Sequence, residues 1–284
     1  MHIEPYQEEM ISKVKRFNKR IEEAGLDYSF SERPDSDWLP KTNNREIYQQ
    51  YYLMLDDSEV RGGYILKTRK FSFAGNDLTI ADYQYPLSEG LIDQHYGAVG
   101  LKMLQDALEK QPLLFGLGMG GENQPLPRLM KTMGWRLWKV PFFFRILSPN
   151  SFLRNFSYLR DKKHYRLILD FLSNTGLGWT ILKPLFFANR FIGRINNLRY
   201  DTADFEKIDN FGAWSDKLWM QCKSEYSMVG IRDKKTTNIL YTDSDRDFIK
   251  LKISKNDAVI GWVVLLCSDM DKHKQLGNMR VGSI

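Results

Sequence analysis

A turn rich in small residues, Gln94 to Gly100, is the part of the sequence best suited to bind an anion. It follows a run with the composition of a β-strand, Leu78 to Tyr83, and leads into a segment with helical periodicity, about Ala98 to Glu109. The first amides of a helix lack an internal acceptor and carry the positive end of its dipole, and small residues let a phosphate approach them. The turn therefore predicts either a pyrophosphate site or simple packing of a helix on a sheet.

The pattern on either side of this turn indicates an α/β fold. In chain order it predicts helix, three strands, helix, strand, helix and one or two strands, over residues 6–24, 48–55, 63–68, 78–83, 98–109, 113–119, 126–133 and 136–147. The run 113–119 is almost wholly apolar, as is typical of a strand covered on both faces. We expect a mixed central sheet flanked by helices.

This order of elements, with two stretches of sequence, resembles the GNAT superfamily of acyl-CoA-dependent acyltransferases. Gln94-His95-Tyr96-Gly97-Ala98 matches the family's pyrophosphate loop, Gln/Arg-x-x-Gly-x-Gly/Ala, through its fourth residue. Val99 then stands where Gly or Ala is expected, and Gly100 comes one place late. The second stretch, Pro127 to Leu147, has the short helix, Gly-Trp pair and apolar run typical of these domains. The resemblance covers residues 45–150 well and 200–284 loosely, and it extends to tandem GNAT-like proteins encoded with bacterial surface-polysaccharide genes.

The resemblance implies a site for acetyl-CoA or another acyl-CoA as co-substrate. The expected cofactor-binding residues are Gln94, His95, Tyr96, Gly97, Ala98, Val99, Gly100 and Asn123. Family members often use a carboxylate near the splayed strands as a general base, because an ammonium acceptor must lose a proton before it attacks. Glu89 and Glu122 are the acids nearest the two strand ends and are the catalytic candidates; the alternative is that both are solvated loop acids. The tyrosine that the family uses as an acid has no counterpart after Asn123.

A basic segment separates this region from the rest of the chain. The net charge is +6, and residues 151–200 hold two acids and nine basic side chains: Arg154, Arg160, Lys162, Lys163, Arg166, Lys183, Arg190, Arg194 and Arg199. Three interpretations stay open. The segment is a helical connector packed between units, or it contacts an anionic membrane surface through Trp179, Phe186, Phe187 and Phe191 with the neighbouring cations. Nucleic acid is the least favoured partner.

The C-terminal third has the features of a partial repeat. Val259-Ile260-Gly261-Trp262 resembles Val60 to Tyr64, and each follows an acidic turn. Strands are predicted over 247–254, 258–267 and 278–284, and the Asn238 to Tyr241 stretch resembles the entry of a second unit. We therefore expect an N-terminal GNAT-like domain (1–149), a basic helical connector (150–200) and the first half of a second GNAT-like domain (201–284), in a chain that is itself part of a longer protein.

Composition excludes several other classes. Aromatic residues at 13% and hydrophobic residues at 43% argue against disorder. Two cysteines and four scattered histidines predict no metal site. The N-terminus has no apolar signal-peptide region, so the cytoplasm is the default location.

The expected function is transfer of an acyl group to an amine or hydroxyl of a small-molecule acceptor, a sugar or cell-envelope precursor. The alternatives are a non-catalytic GNAT-like binding module and a tRNA-dependent aminoacyltransferase of Fem type.

Overall fold

The structure, a computed structural model, describes residues 1–34, 47–118, 121–141, 143–157, 160, 163–175, 203–242, 248–273 and 276–284. In chain order its elements are β1 (His2–Pro5), α1 (Ile11–Glu23), β2 (Tyr48–Asp56), β3 (Glu59–Phe73), β4 (Asn76–Ser88), α2 (Val99–Lys110), β5 (Leu114–Phe115), α3 (Pro125–Thr132), α4 (Pro149–Asn155), α5 (Lys163–Asn174), β6 (Asp204–Ile208), α6 (Ala213–Cys222), β7 (Met228–Gly230), α7 (Lys234–Leu240), β8 (Phe248–Lys255), β9 (Ala258–Asp269) and β10 (Arg280–Ser283). The chain forms two compact units, Met1–Lys139 with Phe211–Asp245 and Val140–Asn210 with Arg246–Ile284.

The sheet of the first unit is mixed and covered by a helix on each face, as predicted. Its order is β1-β2-β3-β4-β5, antiparallel except that β5 runs parallel to β4. α1 packs on one face through Val14, Phe17 and Ile21, whose spacing of three and four places them on one side of the helix. α2 packs on the other face through Val99, Met103, Leu104 and Ala107. Because β2 lies between these two layers, nearly all of its residues are buried.

The second sheet repeats the first four strands of the first. Its order is β6-β8-β9-β10, all antiparallel. The β2–β3 and β8–β9 hairpins both turn on two residues with positive φ, Asp57-Ser58 and Asn256-Asp257. Aspartate and asparagine are favoured in such turns because they tolerate the left-handed conformation. Both hairpins also shift register after the second residue pair from the turn, at Met54/Leu55 and at Ile253/Ser254. The partial repeat predicted from a few residues is therefore present in backbone geometry.

The expected second domain, 201–284, is divided in the structure: Phe211–Asp245 belongs to the first unit, whereas β6 and the residues from Arg246 onward belong to the second. β2 pairs with β3 only as far as Thr68, which leaves the end of β3 with an open edge. β7 pairs with β3 at Phe71 to Phe73 and fills that edge. Leu240 in α7, within the stretch interpreted as an entry to the second unit, is buried against Ile47.

Two strand predictions also differ from the structure. The predicted strand 113–119 is paired only at Leu114–Phe115. The described residues of 136–147 contain no strand. Their aromatic composition resembles that of a strand, but a strand also needs a partner edge, and Trp138 and Phe143 are 79% and 87% exposed.

The basic segment is helical where it is described, in α4 and α5. The side chains on which the membrane interpretation depends, from Trp179 to Arg194, lie outside the described residues, so lipid contact stays a prediction. No helix in the described ranges is both long and apolar enough to cross a bilayer.

Candidate functional site

The edge of β4 that faces β5 opens partway along the strand. β5 pairs with β4 at Ala81 and Asp82, and in the described part of the chain no strand pairs with this edge from there to Ser88. After Phe115 the chain turns away at Gly118, where φ is +70°. The Ala81 N–H donates to Leu113 O at 3.0 Å. Since backbone groups of a strand alternate in direction, Tyr83 presents its N–H and C=O to the same open side. The result is a cleft bordered by unpaired backbone.

A β-bulge bends β4 within this open stretch. Gln84 pairs with Ile65 and Leu87 with Gly63, so Tyr85 and Pro86 together oppose Tyr64. Tyr85 has φ of +47°, a conformation that is strained for a residue with a bulky side chain, and its side chain is exposed. Strain of this kind persists only where the surroundings impose it, and it often accompanies a functional site.

The open edge leads to the turn that the sequence singled out. Gln94, His95, Gly97 and Ala98 are exposed, and Tyr96 is partly buried. Ala98 is the N-cap of α2 and makes no side-chain capping bond, so the amides of the first turn lack a side-chain acceptor. Gly97 has φ of −56°, so the turn does not need glycine for its backbone conformation.

Val99, the residue that departs from the family's loop, is fully buried. Its side chain packs beneath the sheet, where an added Cβ on Gly62 would lie 2.9 Å from Val99 Cγ1. Because this side chain points into the core, its bulk does not lie over the exposed residues Gly97 and Ala98. The departure therefore anchors α2 and does not block the surface of the turn.

Gly90 is required for the loop between β4 and the turn, although sequence reasoning missed it. A Cβ at this position would lie 2.6 Å from Tyr96 O and 3.0 Å from Gly97 Cα, contacts too close for any other residue. Ser88 accepts a hydrogen bond from the Gly90 N–H at 3.1 Å. The sequence signal was a glycine directly after the strand end, beside a serine able to cap the backbone.

Glu89 lies at the centre of a buried ion-pair cluster. It is 3% exposed and accepts hydrogen bonds from Arg20 Nε at 2.7 Å and Arg61 Nη1 at 3.0 Å. Arg20 also donates to Val60 O at 2.6 Å, and the Arg61 guanidinium lies 4.4 Å from the centroid of the Tyr96 ring. Both carboxylate oxygens are held by arginines, so neither is free to take a proton from an acceptor amine. Its contacts give Glu89 a positioning role in place of the base role expected from sequence.

Glu122 and Asn123 are exposed turn residues before α3. Among the described residues, no hydrogen bond or ion pair joins either side chain to the turn 94–100. The structure thus brings Gln94 to Gly100 together at one end of the cleft and leaves the other two predicted residues separate.

The carboxylate at the inner end of the cleft is Asp82, a residue that the sequence interpretation passed over. It belongs to the last β4–β5 pair before the edge opens and is 6% exposed. Gln84 Nε2 donates to Oδ2 at 2.6 Å, whereas Oδ1 has no partner among the described residues. Burial raises the pKa of Asp82, against the opposing effects of Gln84, Lys67, Arg69 and the Leu117 N–H. One acid within an apolar strand, Ile80-Ala81-Asp82-Tyr83, was the available signal.

Comparison with known proteins gives structural likeness only. No protein-family model and no curated protein matches the sequence. A mutant protein of Bacillus halodurans is similar over 52% of this chain and 100% of its own, with 9% identity and a TM-score of 0.37. The ribosomal-protein-alanine N-acetyltransferase of Brucella melitensis is similar over 51% and 100%, with 10% identity and a TM-score of 0.32.

The yeast N-myristoyltransferase, from Saccharomyces cerevisiae and solved with bound myristoyl-CoA, is similar over 99% of this chain and 62% of its own. Identity is 8% and the TM-score is 0.48. At such identities and TM-scores these likenesses carry no assignment of activity, so the function has to be inferred from the geometry of the site.

The ion-pair cluster predicts that Glu89→Gln destabilises the first unit. The substitution removes the carboxylate that pairs with Arg61 and one of the two that pair with Arg20, which keeps Glu59 at 3.3 Å. Breaking such a partly buried pair is expected to cost at most about 3 kcal/mol. We expect an earlier transition in urea unfolding followed by circular dichroism. The control is Glu122→Gln, which removes an exposed charge and is expected to change the unfolding free energy by less than about 0.5 kcal/mol. Equal effects of the two substitutions would contradict the role given to Glu89.

Proposed function

We propose that the chain is an acyl-CoA-dependent acyltransferase of GNAT type, with its acyl-CoA site in the first unit. The observation that carries the proposal is the continuous path from Asp82, along the open edge of β4, to the exposed residues Gly97 and Ala98 that lead into α2. Six residues of strand separate Asp82 from Ser88, a length of about 20 Å. An extended arm can pair with the free backbone of β4 along this length while a pyrophosphate lies on the turn.

The residues present fit each part of an acyl-CoA. Exposed Gln94 and His95 are available to a phosphate, and the α2 dipole adds a favourable field for negative charge. Tyr83 offers backbone groups to the amides of the arm. Bound acyl-CoA would supply an acyl thioester at the inner end of the cleft. The first unit, which holds both ends of this path, is where we place the co-substrate.

We assign the role of general base to Asp82. Its Oδ1 is buried and has no hydrogen-bond partner among the described residues. It can take a proton from an ammonium or hydroxyl acceptor that enters the cleft, which frees the lone pair that attacks the thioester carbonyl. The carbon–sulfur bond then breaks and the CoA thiolate leaves. A raised pKa suits this role, because a base titrating nearer the working pH gains more from proton transfer. Asp82 replaces Glu89 and Glu122 as the proposed base.

The alternatives have less support. A non-catalytic binding module was favoured by the departure at Val99 and by the missing tyrosine, and the burial of the Val99 side chain removes the first of these two arguments. A module also has no need of a buried carboxylate at the inner end of the cleft. Transfer from charged tRNA depends on the basic segment 151–200, half of which lies outside the described residues. Within the leading proposal, the acceptor is a small molecule such as a sugar or cell-envelope precursor.

The turn predicts that Gly97→Val weakens CoA binding. Gly97 is exposed and its backbone accepts a side chain, apart from a contact of 3.1 Å with Gln94 O, so the protein should still fold. The valine side chain would lie over the surface where the pyrophosphate binds. Calorimetry with desulfo-CoA should show micromolar binding to the unmodified protein and at least tenfold weaker binding to the variant. The control is Gly282→Val, where a Cβ meets nothing within 4 Å in the second unit. Unchanged affinity in Gly97→Val would contradict the assignment of the loop.

The substitution Asp82→Asn is expected to lower activity without lowering stability at pH 7. Asp82→Asn should lower acyl transfer by about 10²- to 10⁴-fold and leave desulfo-CoA affinity unchanged. Since the folded-state pKa is raised, the stabilising contribution of Asp82 is present below its unfolded pKa and is lost as pH rises through the folded pKa. The variant should therefore be at least as stable as the unmodified protein at pH 7, with the advantage shrinking in acid. Full activity of Asp82→Asn would exclude Asp82 as the base.

A further inference from the structure

Two arginines lie side by side on the sheet face that carries Asp82. β7 pairs with β3 at Phe71 to Phe73, and the Ile231 N–H continues the ladder by donating to Lys70 O at 3.1 Å. The next residue along, Arg232, therefore comes opposite Arg69. Both side chains are partly buried. Like charges placed directly across a strand pair oppose folding, so the pair calls for a compensating group.

The electrostatic state of the pair shows that compensation is incomplete. Burial lowers the pKa of the Arg69 guanidinium, and the charge of Arg232 lowers it further. Asp82 and Tyr241 act in the opposite direction and have smaller effects. Arg232 Nη1 is buried and has no hydrogen-bond partner among the described residues. A buried guanidinium N–H without an acceptor costs folding free energy that a bound anion would return.

The surrounding groups do not neutralise the pair. The Arg69 guanidinium lies 4.9 Å from the ring centroid of Phe71 and 6.0 Å from that of Phe115. The acid next in sequence, Asp233, accepts the Thr236 N–H at 2.7 Å as the N-cap of α7. Asp82 is thus the acid that acts on Arg69, and it faces both Arg69 and Lys67.

We propose that Arg69 and Arg232 bind an oxyanion, a carboxylate or phosphate, carried by the acceptor. This inference rests on the proposed function, because it takes Asp82 as the base that the acceptor must reach. Asp82 lies directly opposite Lys67 in the register between β3 and β4. Arg69 is two residues after Lys67 on β3, so Asp82 and Arg69 are diagonal neighbours about 7–8 Å apart. Two planar guanidinium groups match an oxyanion in geometry as well as in charge. The acceptor class is therefore a small amine or alcohol that also bears an anionic group.

The arginine pair is too far along the sheet to serve the pyrophosphate of CoA. Arg69 pairs with Ile80, eight residues before Ser88 at the other end of β4, a separation of about 26 Å. Arg232 comes from the segment 211–242 that joins the first unit late in the chain. The segment 211–242 therefore adds Arg232 to an acceptor site whose other residues, Arg69 and Asp82, come from the N-terminal part of the chain.

The test is a titration with inorganic phosphate and, separately, acetate, at constant ionic strength set with chloride. Thermal unfolding of the full chain is measured without and with saturating desulfo-CoA, which occupies the turn. We expect saturable stabilisation by at least one anion under both conditions, and at least tenfold weaker apparent affinity in Arg232→Gln and in Arg69→Gln. Arg128→Gln, which removes an exposed arginine on α3, is the matched control and should titrate like the unmodified protein. The anion that binds with the higher apparent affinity, phosphate or acetate, indicates whether the acceptor carries a phosphate or a carboxylate.

Each other outcome overturns the inference. Phosphate stabilisation that disappears with desulfo-CoA places the anion on the turn, and stabilisation that persists in both arginine variants places it elsewhere. No saturable effect of either anion also rejects the site. A second readout guards against misfolding: without added anion, Arg232→Gln should be at least as stable as the unmodified protein, because it relieves like-charge repulsion. Failure of desulfo-CoA to bind would instead reject the proposed function, and the titration without it would still report on the arginine pair.

Discussion

The ion pairs that Glu89 makes with Arg20 and Arg61 determine where α2 begins relative to the end of β4. They join α1, the bulged part of β3 and the loop after β4, three segments that are far apart in sequence. Arg61 extends the cluster to the turn through its contact with Tyr96. Because the pairs are mostly buried, any shift of the loop would leave a charge without its partner. The turn that begins α2 is therefore held at the open end of the cleft before any ligand arrives.

The other constraint is the early end of the β4–β5 pairing. β4 is long enough to run past β5, and the turn at Gly118 keeps the chain from following it. β4 then contributes to three sites along its length. Near its start Ile80 pairs with Arg69, further along it carries Asp82, and its end leads to α2. In the proposed complex the acceptor, the acyl thioester and the CoA pyrophosphate therefore lie one after another along β4. The late segment 211–242 contributes to that line because the end of β3 offers it a free edge.

Features set by local sequence could be predicted. The spacing of Val14, Phe17 and Ile21 was sufficient for α1, and the short Val-x-Gly repeat reflected two hairpins with the same turn and register shift. Features set by long-range contacts could not. The partner of Glu89 in α1 is 69 residues away, and β7 is a strand of three residues that exists only because β3 has an open edge. The aromatic run after Trp135 was predicted to be a strand from its composition. The described part of the chain offers no partner edge for it, so no strand forms there.

Hydrogen exchange with and without desulfo-CoA reports on the backbone along the whole proposed acyl-CoA path. We expect slower exchange in two places, the amides of β4 between Tyr83 and Ser88 and the amides from Ala98 to Leu101 at the start of α2. Amides of β8 and β9, in the second sheet, should be unaffected. Protection confined to the second sheet, or binding that leaves both β4 and α2 unchanged, would contradict the placement of acyl-CoA in this cleft.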